Sequence, residues 1–415
     1  MAPIKAELVS IGNELLAGIT INTNAAYLAK QLQAIGIEVK WITVIPDEHD
    51  EIVQALRQAK QRARVVISTG GLGPTPDDIT KQALCDFFQV ELEFHPQVFE
   101  DVQSFLNHRQ IALNEVNRLQ AVIPKCEQVL RNQQGTAPGL YFKRDDTHFF
   151  FLPGVPGEVY HLTEKDILPL LENIFNLKKI TTHLLRTTGI PESKLIEKIG
   201  DLVEQHSDFK IAFLPRFRGV DLRFTLPLEK ENLKTEFEHF IGQVRQRLAK
   251  YIFTEQEKEL EEVIGEILIR KKLTLSVAES FTGGLIEDLL TNVPGSSAYF
   301  LGGAVTYSNE SKMKLLGVRE ETLKKHGAVS EETVIEMVSG VQKLFNSDCA
   351  IATTGIAGPT GATAEKPVGL CYLAARVGDQ QVSRKFQFGN DRLMNKHRGA
   401  IAALELLRRL LLNIQ

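Results

Sequence analysis

From residue 6 to about 90 the chain alternates short β-rich runs with stretches of helical periodicity. Glu7-Leu-Val-Ser-Ile, Val39-Lys-Trp-Ile-Thr-Val-Ile and Val65-Val-Ile-Ser-Thr are the strand candidates, with helices near 22–35 and 49–63 between them. Strands separated by helices cannot close as hairpins, so the pattern predicts parallel βαβ units and an α/β fold. Asn22-Thr-Asn caps the first helix, and Ala25, Leu28, Ala29, Leu32 and Ile35 mark its buried face. Residues 96–120 read as further helix. A strand, Thr147-His-Phe-Phe-Phe-Leu, precedes Pro153-Gly-Val-Pro-Gly, and the domain is expected to span 1–170.

At 415 residues the chain is too long for one such fold. Residues 171–252 read as a small α+β module with two strands around 209–228 hinged at Pro215. Its basic cluster, Arg216, Arg218 and Arg223, reads as a solvated hairpin. A third α/β unit spans 257–415: Leu273-Thr-Leu-Ser-Val-Ala, a Ser330-capped helix, three strand candidates after Cys349, Leu370 and Val382, and a final helix near 391–412.

Apolar residues at 43% and charged residues at 24% exclude a disordered chain. Residues 1–170 carry 15 Lys and Arg against 21 Asp and Glu, so direct nucleic-acid binding is not expected. Four scattered cysteines without CxxC spacing, no signal-like N-terminus and no long apolar run lead to a cytoplasmic expectation, with no membrane partner.

Three loops follow successive strands of the first domain: Gly12-Asn-Glu, Pro46-Asp-Glu and Thr69-Gly-Gly-Leu-Gly-Pro-Thr-Pro-Asp-Asp. Open parallel sheets bind ligands at the carboxyl ends of their strands, which brings Glu14, Asp47, Asp77 and Asp78 toward one crevice. Gly70, Gly71 and Gly73, with Thr75, would let backbone N–H groups approach a phosphate, and the acids would hold a divalent cation to neutralise it. The alternative is that Asp47 and Asp78 only cap helices.

In the third unit Ala278-Glu-Ser-Phe-Thr-Gly-Gly follows a strand and opens a helix, displaying Ser280 with the N–H groups of Thr282, Gly283 and Gly284 available to an oxyanion. No GxSxG and no evident His–Asp pair accompany it, leaving a Ser–Lys arrangement with Lys312 as base and Tyr307 as relay. That lysine must be held neutral by burial. A capping Ser280, a solvated Lys312 and a packed Tyr307 are the alternatives. Thr353-Thr-Gly-Ile-Ala-Gly-Pro-Thr-Gly offers Thr354, Gly355 and Gly358 to a phosphate or ribose, and Arg392, Lys396, His397 and Arg398 start the last helix.

Ile11-Gly-Asn-Glu-Leu-Leu-Ala-Gly, the 69–80 glycine loop, Gly135-Thr-Ala-Pro-Gly and Leu152-Pro-Gly-Val-Pro-Gly-Glu resemble the N-terminal domain of the CinA family. Ala278-Glu-Ser-Phe-Thr-Gly-Gly, Thr306-Tyr-Ser-Asn-Glu-Ser-Lys and Glu365-Lys-Pro-Val-Gly resemble its C-terminal domain, so the resemblance covers the whole chain. It implies a molybdopterin-binding-like α/β sandwich, a KH-like α+β middle domain and a C-terminal α/β amidohydrolase domain. It also implies two activities: ADP-ribose pyrophosphatase assisted by Co²⁺ or Mg²⁺ and K⁺ in the first domain, and cofactor-free deamidation of nicotinamide mononucleotide (NMN) in the third.

On the family pattern Asp47 and Asp78 are metal ligands, Ser280 the nucleophile, Lys312 the base, and Tyr307, Thr354 and an arginine of the last helix their support. The arginine is assigned to Arg398, with Arg392 as the alternative. Phe281 stands where relatives commonly carry Cys. A homodimer is expected, and the other readings are a molybdopterin-binding protein or a competence or DNA-damage protein with inactive sites.

Overall fold

In the computed structural model, residues 4–73, 79–177 and 180–414 are described. The chain forms two compact units, Met1–Thr181 and Thr182–Gln415.

The first unit is built on β1 (Ile4–Ile11), β2 (Ile37–Ile45), β3 (Val65–Thr69), the ribbon β4 (Leu92–Phe94) and β5 (Val122–Pro124), then β6 (Gln128–Leu130), β7 (Gly139–Arg144) and β8 (Thr147–Leu152). Its main sheet has the order β2-β1-β3-β8-β7-β6, with β2, β1, β3 and β8 parallel and β7 and β6 antiparallel. Side chains alternate across a strand. Ala6 and Leu8 therefore join Val65, Ile67 and Phe150 in one core, while Val9 and Ile11 join Val66, Phe149 and Phe151 in the other. Helices on both faces bury these two sets, giving the α/β sandwich that the family resemblance implies. Asn22 caps the Thr23–Ala34 helix through Ala25 N. The last helix, Leu168–Phe175, runs past Leu170, so the first domain extends beyond its expected end.

The second unit begins with a sheet of order β10-β11-β9-β12: β9 (Thr181–Thr187), β10 (Lys210–Arg216), β11 (Gly219–Leu226) and β12 (Ile252–Thr254). The hairpin turns at Phe217 and Arg218, not at Pro215, which pairs with Val220 inside β10. Because β10 is an edge strand, a residue without an N–H is tolerated there. Arg218 is also not merely solvated. It pairs with Glu259 and, at 3.2 Å, with Glu261, while the buried Arg186 bonds Asp221 and Glu259.

That ion network anchors the module to the helix Leu260–Lys271, which leads into β13 (Leu275–Glu279) and then β14 (Phe300–Val305), β15 (Cys349–Gly355), β16 (Leu370–Val377) and β17 (Gln380–Gln387). The sheet order is β14-β13-β15-β16-β17, with β14, β13 and β15 parallel. Leu275, Val277, Ile351 and Leu373 face the final helix, Arg392–Leu412. Ala278, Ala350, Ala352 and Ala374 face the helix Glu331–Phe345, which Ser330 caps through Thr333 N. Among the described residues no helix is long and apolar enough to cross a membrane.

Candidate functional sites

Each parallel sheet reverses its strand order beside its first strand, between β1 and β3 and between β13 and β15. At such a switch point the connections leave in opposite directions and open a crevice above the carboxyl ends.

In the second unit Ser280 directly follows β13, and its N–H donates to Thr353 O at 3.0 Å. Lys312 lies one turn into the helix Asn309–Leu316, whose cap is Ser308. Its ammonium donates to Ser280 Oγ at 3.1 Å and to Thr306 O at 2.7 Å. The residue is 1% exposed. Burial pushes its pKa down to about 8. A buried lysine that hydrogen-bonds a serine hydroxyl can accept that proton without a histidine.

Two neighbours that the sequence did not single out hold this geometry. Glu279, fully buried, accepts the N–H groups of Gly284 and Glu287, each at 2.9 Å. Thr353 Oγ1 lies 2.8 Å from Thr282 Oγ1. A strand-ending acid just before a Gly-Gly turn was the available signal for Glu279. For Thr353 it was the parity of β15, because adjacent strand residues point to opposite faces.

Several expected roles need correction. The helix opens at Leu285, after Gly283 and Gly284 with φ of 60° and 93°, so Ser280 lies in a turn before it. The Gly284 N–H is engaged by Glu279 and is not available to an oxyanion. Thr354 donates to Ala328 O at 2.6 Å, on the face away from Thr353. Tyr307 is 65% exposed, and its hydroxyl accepts from Arg392 at 2.8 Å instead of meeting Lys312. Arg392 also donates to Gly358 O at 2.6 Å, and Lys396 Nζ approaches Gly283. Arg398 lies about 240° further round the helix from Arg392 and lines a different cavity. Arg392 is therefore the arginine that reaches the 355–361 loop. Gly355 is required by packing, since a Cβ there would meet Cys371 Cβ and Phe281 at 2.5 Å. Phe281 is itself 3% exposed, in the core with Phe388.

In the first unit a cavity of about 480 Å³ lies at the ends of β1, β2, β3 and β8. Glu14, Asp47, Gly70, Gly71 and Gly73 line it, as do Asn24 and Glu158. Thr75, Asp77 and Asp78 lie outside the described residues. Asp47 accepts from Asn13 N at 3.0 Å and does not cap the helix His49–Arg62, whose N-cap is Glu48. Gly70 and Gly71 have φ of 104° and 68°, and side chains there would strike Ile11 O and Thr80.

Glu158 is an acid the sequence did not single out. It accepts from Asn132 at 2.7 Å, and burial raises its pKa. Its place after β8 obeys the same strand-end rule as the other acids. No Lys or Arg is among the described residues lining this cavity, and no three His, Cys, Asp or Glu converge among the described residues. Glu14 and Asp47 are nevertheless hard oxygen donors, and Mg²⁺ commonly takes one or two carboxylates with substrate phosphates completing its shell. Asn24 Oδ1, buried and unpartnered, adds a third oxygen to the wall.

Residues 7–173 match the probable molybdopterin binding domain, 182–254 the damage-inducible protein CinA KH domain and 257–411 the CinA C-terminal domain. A CinA-like protein of Kosmotoga olearia is 42% identical over 99% of each chain. The chain belongs to the CinA family. A second CinA-like protein, of Chloroherpeton thalassium, is 42% identical over 98% of this chain and 99% of that one. The solved structure of the competence/damage inducible protein CihA from Agrobacterium tumefaciens is 38% identical, covers 38% of this chain and 99% of that chain, and aligns with a TM-score of 0.35.

Proposed function

We propose that the C-terminal domain hydrolyses the carboxamide of NMN. The observation that carries this reading is the contact of Ser280 Oγ with a buried Lys312 that has no carboxylate partner among the described residues. Neutral Lys312 takes the hydroxyl proton as Oγ bonds the carboxamide carbon, whose electrophilicity the pyridinium charge raises. The carbonyl electrons move to oxygen, where the turn before Leu285 supplies N–H groups. Collapse breaks the C–N bond, Lys312 returns the proton to departing ammonia, and water cleaves the ester to nicotinate mononucleotide. Arg392, Lys396 and the 355–361 loop hold the nucleotide phosphate.

For the first domain we propose metal-assisted hydrolysis of ADP-ribose to AMP and ribose 5-phosphate. An acid-lined cavity without a basic side chain among its described residues suits a pyrophosphate only together with a cation. Glu14 and Asp47 would hold Mg²⁺ or Co²⁺, with K⁺ as helper; the bound ion would neutralise the pyrophosphate. Gly70 and Gly71 let the backbone approach the phosphates, and Asn24 orients them. The family's competence-damage names leave a binding role as the competing reading.

Purified full-length chain is to be assayed for ammonia from NMN and AMP from ADP-ribose, with and without metal. Ammonia release that persists in Ser280→Ala overturns the first proposal, and metal-independent AMP release overturns the second. Sedimentation of a dimer is expected.

A further inference from the structure

The final helix has two distinct faces. On one, Arg392 bonds Tyr307, Lys396 approaches Gly283 and Gly399 packs against Phe281, whereas on the other Arg398, Ile401, Ala402, Leu406 and Arg409 line a cavity of about 690 Å³ in the same unit. Its floor continues onto β17, where Val382, Arg384 and Phe386 share one parity and so one face of the sheet. Thr188, Gly189 and Phe217 of the middle module form the opposite wall. Phe217 sits at the hairpin tip and is 67% exposed. The proposed reactions do not use this space.

Its chemistry is specific in kind. The floor is aliphatic and aromatic, while the charged rim carries three arginines against one glutamate. That glutamate, Glu405, is already shared between Arg408 and Arg409. Among the described residues Arg384 and Arg398 have no carboxylate partner; the bond found for the Arg384 guanidinium is to Ser383 O, at 3.3 Å. A concave apolar surface of this size falls in the range of small-ligand pockets, roughly 300–1,000 Å³, and unpaired guanidinium groups at its edge select an anionic head. An uncharged apolar ligand would leave those groups unused, and an inorganic anion would leave the floor bare.

We propose that this cavity binds a small amphipathic anion, with an apolar or aromatic body on the floor of β17 and the final helix and one anionic head held by the arginine rim. The site is independent of the reactions assigned to the two sheet crevices.

Anilinonaphthalene sulfonate, titrated by fluorescence into full-length protein and competed with dodecanoate, tests it. One saturable site per chain, displaced by dodecanoate and weakened by salt, is expected. Arg384→Glu combined with Arg398→Glu should weaken the probe by about tenfold or more. Ala402→Trp, which fills the cavity, should remove the site. Thermal melts establish that the variants are folded, and the double charge reversal, at exposed positions, covers the case in which Ala402→Trp does not fold. Unchanged probe affinity in folded variants overturns the proposal. So does absence of binding in a dimer that the double variant converts to monomer, because a second copy of the chain then covers this face.

Discussion

The two crevices obey one topological rule but solve opposite electrostatic problems. Above β13 and β15, the key group is a cation that burial drives toward neutrality: Lys312 is surrounded by backbone and hydroxyl partners and meets Ser280 within hydrogen-bond distance. Above β1, β3 and β8, carboxylates gather with no basic side chain among the described lining residues. A desolvated lysine brings its own reactivity, because losing its proton restores a nucleophile-activating base. Clustered carboxylates gain reactivity toward phosphates only by recruiting a cation. On the proposed readings, the same sheet architecture therefore carries one site that needs only its own side chains and one that would need an added ion.

The largest effect should come from Ser280→Ala, which is expected to reduce NMN turnover by about a thousandfold or more while leaving ADP-ribose hydrolysis unchanged. Equal loss of both activities would break the separation of the two sites. Lys312→Met should lower NMN turnover comparably, because it keeps the side chain's length but removes the group that would accept the Ser280 proton. In the wild type, turnover should climb with pH through about 8 as Lys312 loses its proton. A rate that falls over that window would exclude it as the base.

Asp47→Asn or Glu14→Gln should cost the metal-dependent activity about ten- to a hundredfold and raise the metal concentration at half-maximal rate, with NMN turnover as the internal control. The smallest effect concerns Glu287, whose carboxyl is raised to about 7, first by burial and then by the charge of Glu279. Because the folded chain keeps that proton above the unfolded pKa, wild-type stability should fall as pH rises from about 4.5 to 7. Glu287→Gln should flatten the fall, measured as melting temperature against pH.

Much of this was legible beforehand for local reasons. Alternating strands and helices, and Asn22 and Ser330 as caps, follow from spacing and residue chemistry, and Ser280 after a strand with Lys312 in a later helix was a candidate pair that the family resemblance supported. Glu158 escaped because its role depends on β8 lying beside β3, a pairing between residues far apart in sequence. Arg218 looks solvated from its own stretch of chain because its partners, Glu259 and Glu261, enter from another element. Pro215 suggests a hinge by its residue type, yet an edge strand tolerates it, and only the sheet order shows which strand is the edge.

By itself the sequence determined the parallel α/β units and the glycine and acid loops at strand ends, and it offered Ser280 and Lys312 as a candidate pair, because these rest on periodicity and on the intrinsic chemistry of each side chain. Tertiary structure decided how those groups are placed. It turned Arg392 and not Arg398 toward Tyr307 and Gly358, tied the Gly284 N–H to Glu279, and buried Lys312. Those outcomes depend on burial and on hydrogen bonds between distant segments, such as Ser280 with Thr353. Neither is a property of any single stretch of chain.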